Sequence, residues 1–428
     1  MPVICLIVVY CLLIVPSIIQ RLLQFSLIPL ALLAAFALVR IVNRAQDAPG
    51  GVDFHSYWFS GHFVRQGENP YAAFARRVEP ELPIAYLDGT VTTALPVAQP
   101  GLARTPANTA PLLLLLSLFS WFSWTIAQWT WLAINVGLML WTPWLALRQL
   151  PASPPRWLSW WAALAFYAFT GVRVAVWSGQ TTLIVFVLML LAHRSVQRHP
   201  WLAGLALGLA LSKYSLALPL ALLWLYRRRW LPLLLALLTQ AAGLLIISTL
   251  ANGDLVDTLR LYWQLFLRHA NQPGIHLGGF WPQSTLWQIL AAAAIGLMVL
   301  AALWRWRRQS PAPMPYNDLL LLALFSLATV LAAYHRLYDV VPVILFLAAA
   351  AYALSLPPPG LTARQQTGVA LTTAAVVGLL CLPGEVMGRV LPASLSPLYL
   401  TAANALITAA LLLALAATIW LLNRVSTA

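Results

Sequence analysis

The chain is built on unbroken apolar runs. Leu112–Leu116, Leu233–Leu238 and Leu411–Ala417 hold no polar residue, and similar runs recur along most of the sequence. A spanning strand of a closed barrel alternates apolar and polar side chains, so continuous runs point to helices. Of the 428 residues 61% are hydrophobic and 8% are charged, with a mean hydropathy of +0.81. A soluble domain carries about a quarter charged residues. So few charges do not cover a water-facing surface, and lipid must be the main solvent. The expected fold class is an all-α, polytopic transmembrane bundle.

A net charge of +14 would suit a nucleic-acid partner, but the basic residues are not spread over one face. They sit in clusters between apolar runs, at Arg148/Arg156, Arg194/Arg198, Arg227–Arg229, Arg305/Arg307/Arg308, Arg364 and Arg424. That is the positive-inside pattern of a membrane protein, so no nucleic-acid partner is expected. Nearly every acid falls in the opposite set of loops. Cys5, Cys11 and Cys381 lie in or at the ends of apolar runs without metal-ligand spacing and read as packing residues.

A span needs about 20 apolar residues. The runs predict spans near 22–42, 125–147, 157–177, 181–193, 200–212, 215–226, 231–250, 285–303, 318–333, 340–354, 367–382 and 399–421. That makes about 12, with both ends cytoplasmic and every arginine cluster inside. Residues 3–19 add a possible thirteenth span or a signal-like segment, although no basic n-region precedes them. Residues 43–110 form a first outer loop, rich in acids and prolines, and 251–284 a second. Residues 111–123 are too short to cross unaided and read as an interfacial helix ending in Trp121, Phe122 and Trp124. Residues 1–428 are expected to form a single transmembrane domain.

Three polar features interrupt this pattern. Asp53-Phe54-His55-Ser56-Tyr57, with Gly67-Glu68-Asn69-Pro70-Tyr71, follows the first span. A carboxylate there can act as base on a hydroxyl, or can merely cap a helix starting near His55. Lys213 is the only lysine among the 25 basic residues and lies between two short apolar runs. An ionisable group at membrane depth is a functional candidate, and an ammonium suits a phosphate. The alternative is snorkelling to the interface. Tyr334-His335-Arg336-Leu337-Tyr338-Asp339 breaks two apolar spans on the outer side. It reads either as part of a site or as an interfacial turn in which Arg336 and Asp339 pair. A weaker signal is the polar turn Ser178-Gly179-Gln180-Thr181. No phosphate-cradling glycine loop, Gly-x-Ser-x-Gly element or zinc set is present in the sequence, so no metal or cofactor is expected.

In order and spacing these segments resemble the integral-membrane glycosyltransferases of the GT-C class, and most closely glycosyltransferase family 87. That family includes polyprenyl-phosphate-mannose-dependent mannosyltransferases. The resemblance covers roughly residues 22–350. It rests on the Asp53 segment, the Gly179-Gln180 turn, Ala203–Gly208 leading to Lys213, the arginine run after the next span, the Gln283-Ser284 turn, and His335 with Tyr338. It implies Asp53 as general base, Lys213 at the donor phosphate and His335 facing the same cavity; Arg336 is also expected at the donor phosphate, and Tyr338, Gln180, Tyr57, Tyr71 and His55 around the substrates. It further implies a bacterial plasma-membrane enzyme with its site facing outward. Such an enzyme moves mannose, or another hexose or pentose, from a polyprenyl-phosphate carrier to a lipid or glycan acceptor. Asn108-Thr109-Ala110-Pro111 stands where many members have Tyr-Pro-Pro, so the family's acceptor does not carry over. A transporter of an anionic substrate and a surface-polysaccharide polymerase or ligase are the alternatives.

Overall fold

The computed structural model describes residues 20–46, 52–72, 84–85, 91–92, 109–250, 253–270, 277, 285–308, 315–332, 335–356, 361–381 and 396–425. The expectations for residues 3–19, for the acids of 43–110 other than Asp53 and Glu68, for Asn108, and for Gln283, Ser284 and Tyr334 lie outside them.

The described chain is helical apart from one two-residue antiparallel pair, β1 (Ile84–Ala85) with β2 (Val91–Thr92), in the segment 43–110. The helices begin with α1 (Leu27–Gln46), α2 (Val52–Arg65), α3 (Ala110–Ser117) and α4 (Trp124–Leu147). Next come α5 (Arg156–Ala168), α6 (Thr170–Trp177), α7 (Thr182–Ser195), α8 (Pro200–Ala210), α9 (Tyr214–Tyr226) and α10 (Trp230–Leu250). The series ends with α11 (Leu255–Ala270), α12 (Thr285–Arg308), α13 (Pro315–Ala332), α14 (Val343–Ser355), α15 (Ala363–Cys381) and α16 (Ser396–Val425).

Among the described residues seven helices are long and apolar enough to cross a membrane, or eight if the bent pair α6 and α7 counts as one broken span. The expected count of about 12 is not reached. Several expected spans are too short by this measure, among them α5 and α7 at 13 and 14 residues. The exposed faces are apolar, as a lipid solvent requires. Leu231, Leu234, Leu237 and Leu245 line one side of α10, and Leu286, Ile289, Leu297 and Leu300 one side of α12.

The chain divides into two compact units interleaved in sequence: 1–39, 140–173 and 273–428, and 40–139 with 174–272. In the first, α14 is the centre. Nearly every residue from Val343 to Ala351 is buried, in a run of alanine and branched aliphatics that neighbouring helices enclose. Tyr316 of α13 donates to the carbonyl of Ala349 at 3.0 Å, which satisfies a hydroxyl that has no water to bond.

In the second unit α8 lies against α10 through small residues. A Cβ on Gly204 would meet Pro232 and Leu235, and one on Gly208 would meet Thr239. The Gly204-x-x-x-Gly208 spacing is the device by which membrane helices approach closely. The pairs also fix direction, because 204 meets 232–235 and 208 meets 239, so α8 and α10 run parallel. The intervening α9 must therefore carry the chain back. The reversal falls at the tight turn Leu211–Lys213, where Lys213 leaves helical geometry with φ −116° and ψ 71°. Residues 200–226 are continuously helical by length, yet they contain the change of direction that the polar Ser212-Lys213 pair signals in the sequence.

The segment expected as a second outer loop, 251–284, holds a helix. It contains α11, whose Val256, Leu259 and Trp263 are exposed along one face. On another face Thr258 and Tyr262 meet Asn69 and Tyr71.

Candidate functional site

The site builds up from α2. The helix starts at Val52, so Asp53 lies in its first turn rather than capping a helix from His55. A carboxylate there faces the positive end of the helix dipole. The backbone N–H of Asp53 donates to the carbonyl of Ser178 at 3.0 Å. Phe54, fully buried, stacks on Trp131 with ring centroids 4.9 Å apart and also meets Trp124 and Phe119. The Trp131 indole in turn donates to the carbonyl of Gly179 at 2.9 Å. Two adjacent carbonyls of the Ser178-Gly179 turn are thus held, one by the backbone of Asp53 and one by the residue that stacks on Phe54.

The turn itself is a helix stop. Gly179 has φ +74°, its N–H bonds Val176, and the N–H of Gln180 bonds Ala175. This is the Schellman arrangement, in which a left-handed residue after the last helical turn satisfies the final carbonyls. α6 ends there and α7 leaves at 109° to it. Gln180, Thr181 and Thr182 are all buried in the bend. The first turn of α7 carries backbone N–H groups without intrahelical partners, the usual setting for an anion.

Lys213 reaches this point. Its Nζ donates to Thr182 Oγ1 at 2.6 Å. The Leu211–Lys213 turn is fastened on its other side, where Thr109 N–H bonds the Ser212 carbonyl at 3.1 Å and Leu112 N–H bonds Ser212 Oγ at 3.2 Å. Thr109 Oγ1 also bonds Gln240 Oε1 of α10 at 2.6 Å. Pro111, beside it, packs on Gly243, seven residues before α10 ends at Leu250. The Leu211–Lys213 turn is thus fastened to α10 about 10 Å along that helix from its end.

Asp53, Gln180 and Lys213, three of the expected residues, are thus brought to one five-residue segment, Ser178–Thr182. Tyr57 lies one turn beyond Asp53 on α2 and is buried. His55 is buried edge-on against Trp124, centroids 4.8 Å apart. Tyr71 is buried farther along, edge-on to Tyr262 at 5.4 Å. The Gly67-Glu68-Asn69-Pro70-Tyr71 string has a structural explanation. Gly67, at φ +71°, ends α2, and Asn69 Oδ1 caps the next turn by accepting from Tyr71 N–H at 2.9 Å.

His335, Arg336 and Tyr338 belong to the other unit. His335 is fully buried, and its Nδ1 lies 3.2 Å from Asp339 Oδ2. The same oxygen accepts the backbone N–H of Arg336 at 3.2 Å. Arg336 and Asp339, expected to meet on one turn, are linked there through reciprocal capping bonds. The Asp339 carboxylate meets the Arg336 backbone and the His335 imidazole. Gly171 of α6 packs directly on the Leu337 carbonyl, leaving no room for a Cβ.

Sequence reasoning missed Trp131 and Thr182. Neither stands out in an apolar or threonine-bearing run, since their roles depend on which helix lies opposite. It missed Asp339 as the partner of His335 because an i,i+4 pair was not weighed across a non-helical stretch.

The family model of glycosyltransferase family 87 matches residues 108–328. An alpha-(1->3)-arabinofuranosyltransferase of Corynebacterium glutamicum is 29% identical over 196 residues, 44% of this chain and 46% of that protein. The chain thus spans about half the length of this curated relative. No solved structure matches the chain. The family match covers more than half of the 428 residues and takes in the bend at Gly179, the Gly204–Gly208 helix and Lys213, and by it the chain belongs to glycosyltransferase family 87.

Proposed function

We propose that the protein transfers a sugar from a polyprenyl-phosphate carrier to a hydroxyl of a lipid- or glycan-linked acceptor, in a bacterial plasma membrane and on its outer face. The observation that carries this is the pairing of Lys213 with the first turn of α7, in a segment that also holds the backbone of Asp53.

The division of labour follows from the groups. An ammonium beside a helix N-terminus suits the phosphate of a lipid donor, whose negative charge grows as the glycosidic bond breaks. A carboxylate within hydrogen-bond reach of an acceptor hydroxyl takes its proton as the hydroxyl attacks the anomeric carbon. The lipid phosphate then leaves with the bonding electrons. Gln180 in the bend and Tyr57 on α2 are the polar groups best placed to orient the sugar. The family resemblance adds His335 as a residue that meets a substrate. The arabinofuranosyltransferase relative supports a pentose as well as the mannose that the resemblance suggests.

The test offers the purified protein polyprenyl-phosphate arabinofuranose, mannose and glucose in turn, and follows release of polyprenyl phosphate with an acceptor extract. One donor should lose its sugar. Movement of an anionic substrate into proteoliposomes with no bond broken would instead favour a transporter.

A further inference from the structure

The turn at His335 contains more order than substrate contact alone requires. Two contacts converge on one carboxylate oxygen, Asp339 Oδ2. It lies 3.2 Å from His335 Nδ1 and accepts the Arg336 N–H at 3.2 Å, while the Asp339 N–H returns to the Arg336 carbonyl at 2.9 Å. The reciprocal bonds close the turn, and the tight helix Leu337–Val340 fixes the spacing between imidazole and carboxylate. Below, Gly171 abuts the Leu337 carbonyl, so the turn has no room to shift toward α6. The exposures are 0% for His335 and 4% for Asp339. The Nδ1···Oδ2 approach does not have hydrogen-bond geometry, so the attraction across it is electrostatic.

The other imidazole nitrogen, Nε2, is likewise buried without a hydrogen-bond partner among the described residues, and no carboxylate is recorded beside it. Leaving such a group unbonded is costly, and native structures seldom do so without a reason. A carboxylate at Nδ1 favours the tautomer with the proton there. Nε2 then carries a lone pair and accepts.

We infer that Asp339 is a positioning residue, which holds His335 as the Nδ1–H tautomer so that Nε2 accepts a hydrogen bond from a hydroxyl of the sugar or acceptor. The hydroxyl contact rests on the function proposed above. The hold of Asp339 on the ring does not, and the two are tested separately.

The first arm is nitrogen NMR of protein labelled with 15N-histidine, with the His335 signal identified by its loss in His335→Gln. The wild type should show the Nδ1–H form. In Asp339→Asn the amide can donate to Nδ1, and the signal should move to the Nε2–H form. In Asp339→Glu the wild-type form should return in part. An unchanged tautomer in Asp339→Asn overturns the assignment, whatever the protein catalyses.

The second arm is kinetic, on variants whose thermal unfolding matches the wild type. Asp339→Asn should lower kcat by about 10- to 100-fold with the donor KM little changed, and Asp339→Glu should recover part of the loss. His335→Gln should lose at least as much. Full turnover in His335→Gln overturns the hydroxyl contact. A loss confined to KM in Asp339→Asn overturns the positioning role.

Discussion

At the residue scale the account depends on a few side chains whose partners define what they do. Trp131 holds the Gly179 carbonyl, so Trp131→Phe keeps the stack on Phe54 and leaves that carbonyl unbonded. The expected cost is about 1–3 kcal/mol, read as a lower unfolding temperature together with reduced turnover, because the bend beside Asp53 loosens. Gly179 sits at φ +74°. Gly179→Ala should cost about 1–2 kcal/mol from the left-handed conformation alone. His62, near the end of α2, has its pKa lowered first by burial and then by Arg65 nearby. A lowered pKa means the folded state resists protonation. The stability this histidine allows is therefore complete above its ordinary value of 6.5 and falls as pH drops below it. A thermal-unfolding series across that range should flatten in His62→Gln.

The residue types at the site were legible in the sequence because each is rare in its surroundings. A single lysine, an acid just past the first span and a histidine in a polar break all stand out against leucine and alanine. What those residues touch was not legible. The Thr182 hydroxyl that accepts from Lys213 looks like any threonine at a helix start, and the link from Asp53 to Ser178 is made by backbone, which carries no side-chain signature.

At the element scale glycine carries the architecture. Gly204 and Gly208 let α8 lie parallel to α10, which fixes the depth of the Leu211–Lys213 turn. Gly204→Leu should force the helices apart at a cost of about 1–3 kcal/mol and should also lower donor affinity, because Lys213 moves with α8. A loss of stability with unchanged donor KM would detach the helix contact from the site. Element types were readable from apolar runs, and so was the reversal at Ser212-Lys213. α11 was not. Its 16 residues interleave Asp257, Arg260 and Arg268 with leucines and aromatics, a helical rhythm that reads as loop when only continuous apolar length is counted.

At the scale of the molecule, composition settled the solvent and the fold class. It did not settle how many times the chain crosses. The rule of about 20 apolar residues assumes a straight helix that spans alone. Here α6 and α7 meet at 109° inside one polar bend, and α8 and α9 turn back after short runs. Broken helices at membrane depth are tolerated where they line a cavity, and these breaks place Gln180 and Lys213. The departure from regular spans and the candidate site are therefore the same feature.

The central claim is that Asp53 and Lys213 work on one sugar transfer in one place. A double-mutant cycle on donor turnover measures this most directly, using Asp53→Asn, Lys213→Gln and the pair. Loss of a general base costs about 100- to 10,000-fold, and groups acting as a unit are not additive. The account predicts that each single variant loses at least about 100-fold and that the double variant is scarcely worse than the weaker single. Near-wild-type turnover in either single variant, or losses that multiply fully in the double, would contradict it.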